Sequence, residues 1–160
     1  VGPAKSKLLG AGGEVFKTYD MLEAAGYVIA DVIIARTAVA SADPGMITAM
    51  LKAFGKTLDT YKTSPDQAAA IVGKEIGVSA EVAKSDMADY DFVSFKDQLT
   101  PAWLGAPGGE GKFASVLKGT ADFLVEQKSI RKSADVPVFA KAINTSYLAK
   151  AVGWRCLRRH

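Results

Sequence analysis

The apolar positions of this chain keep two different rhythms, one before residue 36 and one after it. YVIADVIIAR, residues 27–36, is almost continuous in Val, Ile and Ala, and its β-branched content predicts a strand. EVFKTY, residues 14–19, predicts a shorter one. Pro3 to Leu9 reads as a short helix stopped by GAGG at 10–13. DMLEAAG reads as a turn of helix, capped by Asp20 and closed by Gly26.

After Arg36 the period lengthens. Asp43 followed by Pro44 is a helix start, a capping residue and then a proline whose missing N–H costs nothing in a first turn. Met46, Ile47, Met50, Leu51, Phe54, Leu58 and Tyr61 then share one helical face. Ser64 and Pro65 open a second helix that ends near Gly77, and Ser79 opens a third. DYDFVSF, residues 89–95, is irregular. A long helix is predicted from Lys112 to Gln127, with Phe113, Val116, Leu117, Thr120, Phe123 and Leu124 as its buried stripe. KSIRKSADVP is a polar connection. A last helical stretch carries Phe139, Ile143, Tyr147, Leu148 and Val152. The fold class expected is α/β but helix-rich. Two strands do not make a stable sheet, so their neighbours are expected outside these residues.

Composition narrows the chemistry. With 160 residues, 49% of them hydrophobic, the chain is long and apolar enough for a globular core. The net charge of +3 is spread among acids, which gives nucleic acid binding little support. Cys156 and His160 are the single cysteine and histidine, both in the tail GWRCLRRH. An internal disulfide, a Cys/His zinc site and a His-based catalytic group are therefore not expected. The chain is read as non-catalytic, with no metal and no cofactor. The tail, 153–160, is read as disordered or vector-derived.

GAPGGEGK, residues 105–112, departs from a phosphate loop at two points: Ala106 stands where the first Gly belongs and Phe113 where Ser or Thr belongs. It reads as a loop before a helix. Trp103 reads as a packing anchor, and the methionine stripe as core rather than partner groove. Tyr90 and Phe92 alternate with Asp89 and Asp91 in an irregular segment, the kind in which binding residues often sit. The sharpest signal is Asp31, which shares a strand face with Ile29 and Ile33. A carboxylate in so apolar a strand is costly unless paired. It has either a structural partner, a Lys, an Arg or backbone amides, or a cationic group of a ligand to meet. Arg36 reads as a salt bridge or a solvated strand end.

The order of segments resembles a known family. GPA near the start, EVFKTYD, the pattern G-x-x-x-x-D-V-x-x-x-R in GYVIADVIIAR, the helix after Asp43-Pro44, LTPAWLG, and FASVLKGTADFLVEQKSI follow one another as in the C-terminal half of the substrate-binding proteins of ABC importers for taurine and other alkanesulfonates. The likeness runs from residue 1 to about 152. Val1 stands where that family commonly has Trp, and Asp43-Pro44-Gly45 where it has a His-Pro-Glu-like helix start. The tail has no counterpart in the family. The resemblance implies a partial periplasmic-binding-protein-like fold. Residues 1–36 would end the second lobe and supply a hinge strand, and 37–152 would be helices returning to the first lobe. It implies capture of taurine or a related small sulfonate in the periplasm and delivery to a membrane permease. It gives Asp31 the ligand's ammonium, with Tyr27 and Phe92 as walls of the cleft. Two other classes remain open: a helical interaction module whose strands pair with a partner chain or a second copy, and an enzyme resembling thiamine-precursor synthesis proteins.

Overall fold

A computed structural model describes residues 2–25 and 27–154. Among them the chain forms ten helices and no strand. The α/β expectation is therefore overturned, and with it the partial binding-protein-like fold. Residues 14–18 and 27–36 are both non-helical, and neither is hydrogen-bonded into a ladder. A β-branched run becomes a strand only when a second one supplies partners for its N–H and C=O groups, and local propensity cannot supply them.

The chain divides into two compact units. The first comprises residues 1–29 and 54–92. It contains α1 (Gly2–Gly10), α2 (Tyr19–Ala24), the second half of α4 (Pro44–Thr63), α5 (Pro65–Ile76) and α6 (Ala80–Met87). Its tightest packing is between α5 and α6. Ala68, Ala69, Gly73 and Ala83 are buried there. Small residues let the two helices approach at the backbone: a Cβ on Gly73 would lie 2.9 Å from the Val78 carbonyl oxygen. The turn is short because Gly77 takes the left-handed conformation at φ 74° and Val78 N donates to Gly73 O at 2.9 Å. Ser79 then caps α6, its hydroxyl accepting from Val82 N at 3.3 Å. Helix α1 packs on α6, and Lys5 pairs with Asp89 beyond its end. The cap of α2 is Thr18 rather than Asp20, which lies inside the first turn. Its expected closing residue, Gly26, lies outside the described residues.

The second unit comprises residues 30–53 and 93–160. It contains α3 (Thr37–Ala42), the first half of α4, α7 (Phe95–Gln98), α8 (Phe113–Glu126), α9 (Val136–Ala142) and α10 (Ser146–Ala151). Leu99, Leu148 and Ala149 form its buried centre, with Leu51, Phe95, Leu104 and Val152 packed around them. The Tyr147 hydroxyl donates to Ala40 O at 3.0 Å and ties α10 to α3. Asp43 caps α4 as expected: its Oδ1 accepts from Met46 N at 2.8 Å. Removing that cap with Asp43→Ala is expected to cost about 1 kcal/mol. Urea unfolding followed by far-UV circular dichroism checks it, and an unchanged midpoint contradicts it.

The helical stripes are only partly buried. On α4 Ile47 is buried, whereas Met46 and Phe54 are exposed. On α8 Phe113 and Ala114 are buried, but Thr120 and Phe123 face water. The expected last helix is broken at Ile143–Thr145, where Asn144 Oδ1 accepts from Ser146 N at 3.0 Å and restarts the chain as α10. Of the tail, Gly153 and Trp154 are described: Trp154 N donates to Ala149 O at 2.8 Å and continues the end of α10. Residues 155–160 lie outside the described residues.

Candidate ligand-binding residues

The three residues expected to meet a ligand fall in different settings. Asp31 belongs to the second unit, on a stretch that runs from Tyr27 to Arg36 without helix, turn or bend. It is exposed, so the penalty for burying a carboxylate does not arise. Among the described residues it has no ion pair. Arg36 ends the stretch as the residue before α3, at φ −65° and ψ 133°, and its carbonyl accepts from Ala40 N at 3.0 Å.

Tyr27 and Phe92 belong to the first unit. Tyr27 is exposed, and its N–H donates to Leu22 O at 2.9 Å, closing the end of α2. Phe92 is half-buried between two rings. Tyr61 meets it edge-on, with centroids 4.8 Å apart, and Tyr90 stacks on it at 5.9 Å. The Tyr61 hydroxyl donates to Met87 O at 3.3 Å, which ties this aromatic group to the end of α6. Edge-to-face and offset contacts of this kind stabilise by roughly 0.5–1.5 kcal/mol beyond area burial. Phe92 thus has a packing role in its own unit, while Tyr90 keeps an exposed face.

Where GAPGGEGK enters α8, two backbone amides are already committed. Lys112 N donates to Pro101 O and Phe113 N to Trp103 O, both at 2.9 Å, so the amides that would greet a phosphate are taken up by TPAW. Trp103 is half-buried beside them, as an anchor should be.

A feature that the sequence reading passed over lies just beyond α8. Val125, Lys128, Ser129, Ile130 and Arg131 line an open recess of about 490 Å³. The chain turns there through Lys128 at φ 57°, a conformation uncommon for a residue with a Cβ. Ser129 N and Ile130 N both donate to Leu124 O, at 2.9 and 3.3 Å, and hold the turn against the helix end. Two cations also complement the negative carboxyl end of α8. The recess is open to solvent, and Lys128, Arg131 and Ser129 stand beside Val125 and Ile130 in its lining. Its signal in the sequence was the basic spacing of KSIRKS, read there as a polar connection.

Further back on α8, Lys118 Nζ donates to both carboxylate oxygens of Asp122, at 2.7 and 2.6 Å. That ammonium holds the Asp122 carboxyl below its ordinary range. A depressed folded-state value means stability that is present above the unfolded value and lost as pH falls through the folded one. Helicity of the wild-type chain is expected to soften in acid, and Asp122→Asn is expected to remove that part of the pH dependence. Circular dichroism of both proteins across an acid titration checks this; identical acid curves would contradict it.

No family model, curated protein or solved structure matches the chain. Among the described residues no group of three or more His, Cys, Asp or Glu side chains is placed to hold a metal, and no helix is long and apolar enough to cross a membrane.

Proposed function

We propose that the chain captures a small sulfonate, taurine or a close relative, without doing chemistry on it, and delivers it in the periplasm to the permease of an ABC importer. The observation that carries the reading is the order of segments: G-x-x-x-x-D-V-x-x-x-R, then the helix begun by Asp43-Pro44, then LTPAWLG and the helix through FASVLKGTADFLVE. One feature supports it. The recess beyond α8 offers Lys128, Arg131 and Ser129 to an anionic head, with Val125 and Ile130 beside a short alkyl chain. Asp31, the residue to which the resemblance gives the ammonium, is exposed. Asp31 does not line the recess, so the two assignments are tested separately.

Calorimetric titration of the chain with taurine, and with ethanesulfonate as the ligand lacking the amine, tests the reading. Taurine is expected to bind with a Kd in the micromolar range, about −8 kcal/mol, and ethanesulfonate about tenfold more weakly. Loss of the taurine preference in Asp31→Asn would assign binding to Asp31, and weakening of both ligands by Lys128→Ala with Arg131→Ala would assign it to the recess. Silence with both on a folded chain would refute sulfonate capture. Wild-type affinity for both ligands in all variants would refute the site assignment.

A further inference from the structure

We draw no further inference here: the strongest candidate, the exposed apolar surface patch of Val32, Ile33 and Ile34 on the non-helical stretch 30–36 of the second unit, carries nothing because nothing in the structure shows what covers it.

Discussion

Gly111→Ala is expected to destabilise the second unit severely. A Cβ at Gly111 would sit 2.6 Å from Gly105 N, and closer still to Trp103 O and Leu104 C. All three are backbone atoms, so no flexible side chain can swing aside. The loop has no slack either, because Lys112 N and Phe113 N on its far side are bonded to Pro101 O and Trp103 O. The substitution must break those bonds or displace the start of α8. We expect a loss of more than about 3 kcal/mol, in the exceptional part of the range for single substitutions, and a fall in Tm of about 10 °C. Trp103 and Trp154, the chain's two tryptophans, both lie in this unit, so indole fluorescence reports its unfolding. Gly119→Ala is the control. It lies within α8 with nothing within 4 Å of the new methyl, and should stabilise the protein by roughly 0.5–1 kcal/mol. A Gly111→Ala protein melting with wild type would contradict the packing described for this loop.

Leu99→Ala is expected to cost about 2–5 kcal/mol. Leu99 is 1% exposed, the one large side chain among the described residues that is fully enclosed. Its neighbours include Leu148 and Ala149 on α10 and Leu51 on α4. So thin a centre has little with which to refill the space, which puts the cost toward the upper part of that range. Leu99→Met keeps the volume and should cost less than about 1.5 kcal/mol. Urea unfolding followed by tryptophan fluorescence separates the two, and equal midpoints for both variants would contradict the assignment of Leu99 to the core.

The helices after residue 43 were legible because their signals are local. Asp43 and Ser79 fix helix starts through side-chain capping hydrogen bonds, Pro65 opens α5 from its first turn without a cap from Ser64, and Gly77 closes it with one left-handed turn. The strands expected before residue 36 did not form because a strand depends on a partner elsewhere. YVIADVIIAR has the composition of a strand and, among the described residues, nothing with which it forms a ladder. The burial stripes failed for a related reason: periodicity says which face of α8 is apolar, whereas the exposure of Phe123 depends on what the fold sets against it. The candidate site was legible in its residue types but not in its setting. Asp31 stood out by contrast with its neighbours, and its exposure could not be read from them. Lys128 and Arg131 were hidden in a connection, since a recess at a helix end is made by the turn and not by a motif.

The two units interleave along the chain, which crosses between them after residues 29, 53 and 92. During synthesis this sets an order of events. All of the first unit is present once residue 92 has emerged, whereas the second must wait for Leu148 and Ala149. Until then residues 30–53 hang as a loop from a finished neighbour, with Leu51 and Ala40 lacking the groups they will meet. Domains commonly form as units while the polypeptide is still being made. Here one half of α4 can be stabilised by tertiary contacts well before the other. A ribosome stalled once residue 92 has cleared the exit tunnel should therefore present a protease with one resistant body and one vulnerable loop.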